Sequence, residues 1–348
     1  MTTLPGQPAA YPDFTPVVLL TGFLGSGKTT LLGRLLKDPA LADTAVLINE
    51  FGEVGLDHQL LDRIDEEMLL LSSGCLCCTI RGELADAIKG LHARRERGEI
   101  PPFQRIVVES TGLADPLPVI ATITADPVLK HHFRMGAVVT TVDAVNGRDQ
   151  LARQPESVTQ AAVADRLVLT KTDLTTPDEA EAVTVALRAL NPDAPVYHAA
   201  VDSLDAATLL SERPALTQAV EGFRCVATPP DGPLASAHGD AVKSFALVFE
   251  AALDWTRFAL WLTMLLNRHR DAILRVKGLL NVEGAETPVA IHGVSALVHV
   301  PTHLSAWPDP TDKRSRLVFI TRGLAPELIE RSMTAFGLMP DTAGRVAA

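Results

Sequence analysis

Short apolar runs recur along the first two thirds of the chain, at Val17–Leu20, Ala45–Asn49, Met68–Leu71, Arg105–Glu109, Gly136–Val142, Arg166–Thr170 and Pro195–His198. They are too short for buried helices. Rich in Val, Ile and Leu and without polar alternation, they predict strands buried on both faces. Stretches with helical spacing lie between several of them, from Thr30 onward and at Arg81–Arg97, Pro118–Thr124 and Pro177–Leu190. Strands alternating with helices predict a mostly parallel α/β sheet.

The pattern changes near residue 226. Pro, Gly, Ala and Ser dominate Val226–Asp240, which reads as a linker. Beyond it, Val242–Glu250 is a strand candidate, and Asp254 is placed to cap a helix. That helix carries Phe258, Trp261, Leu262, Leu265 and Leu266 on one face, a stripe expected to pack a core. Further strands are predicted at Ile273–Val282, Val289–Val300 and Ser315–Thr321, and a last helix at Pro326–Ala335. The division expected is a disordered N-terminal tail over 1–15, an α/β domain over 16–225, a linker over 226–241, and a smaller α+β domain over 242–348.

Composition narrows the function. The chain has 348 residues, 47% of them hydrophobic, enough to bury two cores. A net charge of −11 argues against a duplex nucleic-acid binder with a broad basic face. Met1–Phe14 has no apolar core of a signal peptide, and no run approaches a membrane span, so the cytoplasm is the expected compartment.

Chemistry concentrates first at Gly22-Phe-Leu-Gly25-Ser26-Gly27-Lys28-Thr29, which fits G-x-x-x-x-G-K-[ST] between a predicted strand and a predicted helix. Glycines let backbone N–H groups curl toward phosphate oxygens, and the following helix N-terminus, with Thr30, adds partial positive charge. Lys28 is expected to reach the β- and γ-phosphates and Thr29 to ligate Mg²⁺. Glu109, at a strand end, is the expected second Mg²⁺ group, and Gly112 the expected γ-phosphate sensor. At Thr170-Lys171-Thr172-Asp173 the Asp173 carboxylate can accept from both N1–H and N2–H of guanine, a paired contact that adenine does not offer. The Lys171 stem is expected along the base. Thr170 stands where GTP-binding proteins usually carry Asn.

The second concentration is thiol. Three of the four cysteines, Cys75, Cys77 and Cys78, fall within four positions. In a cytosolic chain that crowding points to Zn²⁺ or another borderline or soft metal, or to redox chemistry, before a disulfide framework. The fourth position is water or an acid from Asn49–His58, with Glu53 the choice. Buried structural cysteines and a redox switch are the competing readings. His58 alone reads as a surface histidine, His131-His132 as a solvated turn, and Cys225 as a small buried hydrophobe.

Taken in order, GFLGSGKTTLL, NEFGEVGLD, SSGCLCCTIRGEL, ESTGLADP and TKTDL resemble the CobW-type metallochaperone GTPases, and Arg275-Val-Lys277-Gly278 resembles their C-terminal domain. The resemblance runs from about Val17 to the last helix. It implies GTP and Mg²⁺ binding, slow GTP hydrolysis, Zn²⁺ or Co²⁺ at the C-x-C-C thiolates, and delivery of metal to a client protein; a second copy of the chain is the other candidate partner. The alternatives are a nickel-insertion maturation GTPase, a passive zinc buffer or sensor, and a kinase. Two departures stand out: Thr170 for Asn, and a linker holding only His238 where many members are His-rich.

Overall fold

The computed structural model describes residues 14–48, 70–72, 80–199, 204, 206–210 and 242–339. The first domain is built on a seven-stranded sheet whose paired strands are all parallel. Its strands are β1 (Thr15–Gly22), β2 (Thr44–Ile48), β3 (Leu70–Ser72), β4 (Arg105–Glu109), β5 (Phe133–Asp143), β6 (Arg166–Thr170) and β7 (Val196–His198). The spatial order is β3-β2-β4-β1-β5-β6-β7, so the order reverses beside β1. In open parallel sheets ligands bind beyond the strand C-termini at such a reversal. Thr15, placed in the tail by sequence, is the first residue of β1 and pairs with Phe133.

Both sheet faces are covered, which is why the strands read as unbroken apolar runs. On one face Val17, Leu19, Leu47 and Val108 pack with Leu84 and Ile88 of α2 (Ile80–Glu96) and Ile120 of α3 (Pro116–Ala125). On the other, Val18, Leu20 and Val107 pack with Leu31 and Leu35 of α1 (Lys28–Leu35). Among the described residues the domain also has α4 (Leu129–His132), α5 (Gly147–Arg153), α6 (Pro155–Val163) and α7 (Pro177–Leu190), with a further turn, α8 (Ala206–Leu210). Helix α7 starts in a full capping box: Thr176 Oγ1 accepts from the Glu179 N–H, and the Glu179 carboxylate accepts from the Thr176 N–H.

The second domain is an antiparallel sheet ordered β11-β10-β9-β13-β8, from β8 (Val242–Phe249), β9 (Ile273–Leu280), β10 (Val289–Val294), β11 (Leu297–Val298) and β13 (Ser315–Arg322); β12 (Thr302–His303) pairs with β10. Helix α9 (Trp255–Arg268) is capped by Asp254, which accepts from the Arg257 N–H, and buries the expected stripe of Phe258, Trp261, Leu262, Leu265 and Leu266. Helix α10 (Pro326–Ala335) packs beside it, and the Trp261 indole N–H donates to Ser332 Oγ.

One strand expectation fails. Val289–Val300 is not continuous: Ser295, at φ 53°, turns the chain, and β11 folds back on β10. The turn is held from outside, since the Ser295 N–H donates to the Leu274 carbonyl and its hydroxyl to the Arg270 carbonyl.

The two domains share an interior. Leu274, Val294 and Ile320 of the second sheet lie in the same buried cluster as α6, α7 and the first sheet. Arg275 is buried against the first domain, where it pairs with Asp165 and donates to the Val163 carbonyl. The linker 226–241 and Cys225 lie outside the described residues. Among the described residues no helix is long and apolar enough to cross a membrane.

Candidate nucleotide site

The loop from β1 to α1 curls as its glycines require. Gly25 and Gly27 sit at φ 72° and 86°, in the left-handed region, and Gly22 is at φ 146°. A Cβ on Gly22 would lie 2.3 Å from Thr141 Oγ1 and 2.4 Å from the Thr141 carbonyl, so only glycine lets the loop leave β1 against β5. The N-cap of α1 is Gly27, which has no side chain to cap it, and the first N–H groups of the helix face the cradle. The Lys28 ammonium lies inside the curl and donates to the carbonyls of Gly22 at 3.0 Å and Phe23 at 3.3 Å.

Ser26 is architectural. Its N–H donates to the Phe23 carbonyl, and its buried hydroxyl pairs with Thr141 Oγ1 at 2.7 Å. Thr30 is exposed on the first turn of α1.

The Thr29 hydroxyl donates to Glu109 Oε1 at 2.7 Å. Two hard oxygen donors from the loop and from the end of β4 thus meet at one point beside the cradle, the donor chemistry that Mg²⁺ prefers. Past Glu109, Ser110 is fixed by its N–H to the Leu20 carbonyl and by its hydroxyl to Thr21 Oγ1. Gly112 then lies flat against the phosphate loop, where a Cβ would come within 2.5 Å of the Leu24 Cα and N. Its loop is held from behind by Gln160, fully buried in α6, whose amide donates to the carbonyls of Gly112 at 3.1 Å and Ala114 at 3.0 Å. Sequence reasoning missed Gln160.

At the end of β6, Thr170 uses its hydroxyl structurally. Buried against Gly27, it donates to the Ser26 carbonyl at 2.8 Å and the Val142 carbonyl at 3.2 Å, tying the base loop to the phosphate loop. Lys171 adopts φ 56° and donates to Asp143 Oδ2 at 2.8 Å. Asp143, at the end of β5, is the second residue missed. Burial opposes its charge, but Lys171, the Asn146 side chain and the N–H groups of Val145 and Asn146 outweigh that and hold its carboxyl below the usual carboxylate range. Asp173 stands exposed at the rim in a short turn, Thr172–Leu174.

The metal candidates Cys75, Cys77, Cys78 and Glu53, with His58, lie outside the described residues. Among the described residues no group of three or more His, Cys, Asp or Glu is placed to hold a metal ion. Where those segments leave the sheet is described. Residues 49–69 follow the C-terminal end of β2 and residues 73–79 follow that of β3; Ile48 pairs with both Ser72 and Glu109. His131 and His132 end the single turn of α4, where the His132 ring lies 4.3 Å from that of His92.

The model of the CobW/HypB/UreG nucleotide-binding domain matches residues 16–198, and that of the cobalamin synthesis protein cobW C-terminal domain matches residues 242–336. The chain belongs to the CobW family. This CobW-family protein is 33% identical over 316 residues to the zinc chaperone YjiA of Escherichia coli (strain K12), a match spanning 90% of this chain and 96% of that protein. It is 27% identical over 334 residues to a zinc chaperone CobW of a Sinorhizobium species, across 88% of this chain and 92% of that one. The crystal structure of Zn(II)-bound YjiA GTPase from E. coli aligns with a TM-score of 0.69 at 29% identity, over 93% of this chain and 99% of that chain. The CobW-family chain thus has the P-loop GTPase fold and the antiparallel C-terminal domain expected of it.

Proposed function

We propose that this protein is a nucleotide-gated metal carrier that binds GTP, hydrolyses it slowly, and holds Zn²⁺ or Co²⁺ on the thiolates of Cys75, Cys77 and Cys78 for delivery to a client protein. One observation carries the reading. The two segments that bear the candidate ligands leave the sheet from adjacent strand ends, and β2 pairs with the strand that ends in Glu109, the residue bonded to Thr29. Relatives named zinc chaperones, aligned over nearly the whole chain, support the same reading.

The chain's own groups divide the work. Lys28 offsets phosphate charge, the N–H groups of the loop and of α1 orient the phosphates, and Gly112, flat against the phosphate loop, serves as the γ-phosphate sensor. Thr29 and Glu109 would hold Mg²⁺, which when bound neutralises charge on the β- and γ-oxygens. Asp173 selects guanine by its paired acceptors, while Thr170 and Asp143 fix the loops that carry Asp173 and Lys171. Metal binding by thiolates releases protons, so affinity falls as pH drops toward about 6.

The test has two readouts on the full chain. GTP turnover with Mg²⁺ should be measurable and exceed ATP turnover. Co²⁺ should give a sulfur-to-metal charge-transfer band that disappears when Cys75, Cys77 and Cys78 are all replaced by Ser, with GTP binding retained. A metal-binding chain without turnover would leave a passive zinc buffer; an unchanged band in the triple variant would place the metal elsewhere.

A further inference from the structure

Helix α6 touches both the γ-phosphate loop and the second domain. Its Gln160 amide holds the carbonyls of Gly112 and Ala114. The next residue back, Thr159, accepts from the Arg322 guanidinium of β13. At its C-terminal end the Val163 carbonyl accepts from Arg275 of β9, and Asp165, just beyond, pairs with the same guanidinium while accepting from the Val138 N–H. The carbonyls of Ala161, Ala162 and Ala164 accept from the Asn191 amide. A cation and an amide thus satisfy carbonyls that a helix C-terminus otherwise leaves open, and the cation also complements the helix dipole.

Such a helix moves as a unit or not at all. Ser157 and Thr159–Val163 are all buried, its C-terminal carbonyls are taken, and close-packed interiors shift between discrete arrangements more readily than they deform. We propose that α6 is a relay and that Gln160 is its positioning residue. On the GTP-binding reading above, a γ-phosphate that displaces the Gly112 loop pulls on Gln160, and α6 passes the displacement to Arg275 and Arg322, and so to β9 and β13. The second domain thereby senses which nucleotide is bound. Coupling is reciprocal, so the contacts of Arg322 and Arg275 also set how well GTP competes with GDP.

The test compares the full chain with Gln160→Met, Arg322→Met and the double variant. Affinities for GDP and a non-hydrolysable GTP analogue are measured, together with amide hydrogen exchange of β9 and β13 in each state. In the parent, exchange in both strands differs between the two nucleotides, and Gln160→Met removes the difference. Each single variant changes the analogue-to-GDP affinity ratio by about fivefold or more, the lower end of ordinary coupling. The double variant changes it no further, since both act through one element. If Gln160→Met does not fold, Arg322→Met, at the partly exposed edge of the contact, still decides. An unchanged ratio in Arg322→Met, or additive effects in the double variant, overturns the relay and leaves GTP binding standing. Failure of the parent to bind either nucleotide overturns the function, and the relay with it.

Discussion

Replacing Thr170 by Val separates two roles that a base-loop residue can play. The change keeps the shape and removes one hydroxyl. That hydroxyl is buried and donates at 2.8 Å to the Ser26 carbonyl and at 3.2 Å to the Val142 carbonyl; only the shorter contact spans the two nucleotide loops. A neutral hydrogen bond of this kind contributes about 1 kcal/mol net. If the nucleotide needs both loops in register, most of that is lost from binding, so affinity falls about fivefold. The loss should be the same for GDP and ADP, because the hydroxyl is committed to backbone and Asp173 carries the choice of base. The assay is calorimetric titration of GDP and ADP into parent and variant, with thermal unfolding as a check on the fold. Unchanged GDP affinity would refute the tether. A collapse of the GDP-to-ADP ratio at constant GDP affinity would show that Thr170 reads the base itself.

Other consequences are as direct. Lys28→Ala should abolish productive GTP binding in a folded chain; near-normal turnover would remove the phosphate role. Asp173→Asn should weaken GTP and reduce a guanine preference of at least tenfold, about 1.4 kcal/mol, whereas equal GTP and ATP affinity in the parent would contradict the paired-acceptor reading. Arg275→Met breaks the buried pair with Asp165 while Arg166 still acts on that carboxylate, so the cost should lie below the about 3–5 kcal/mol of a buried charge left alone; a cost below about 1 kcal/mol by urea unfolding would mean that the domains barely lean on the pair. Burial raises the Asp193 carboxyl, against the pull of Lys277 and Arg275. Between the ordinary and raised values the folded chain holds a proton that the unfolded chain has lost, so this group favours folding more as pH falls through the raised value. The stability gained by Asp193→Asn at neutral pH should therefore shrink on acidification, and a pH-independent difference would contradict that sign.

What could be read from the sequence followed from fixed spacing or strong periodicity. The Gly22–Thr29 loop was legible because its glycines answer a backbone need that no other residue meets. The stripe from Phe258 to Leu266 was legible because one helix face had to be buried. Gln160, Asp143 and Asn191 were not. Each acts through a partner far along the chain, Gly112, Lys171 and Ala161 respectively, and a lone polar residue carries no spacing to betray it. Helices α5 and α6 escaped because each is under ten residues, too short for helical spacing to stand out from its neighbours. The turn at Ser295 escaped because Ser-Ala is no hairpin signature; contacts to Arg270 and Leu274 impose it.

A gated carrier rests on one coupling, that between nucleotide and metal. It is tested by the affinity of the full chain for Zn²⁺, measured by competition with a chromophoric chelator at fixed pH, once with Mg²⁺ and a non-hydrolysable GTP analogue and once with Mg²⁺ and GDP. A gated carrier requires the metal to bind more tightly in the analogue state, by about fivefold or more, and the difference to vanish when Cys75, Cys77 and Cys78 are replaced by Ser. Equal affinity in the two states would contradict the account, even if the thiolates bind the metal.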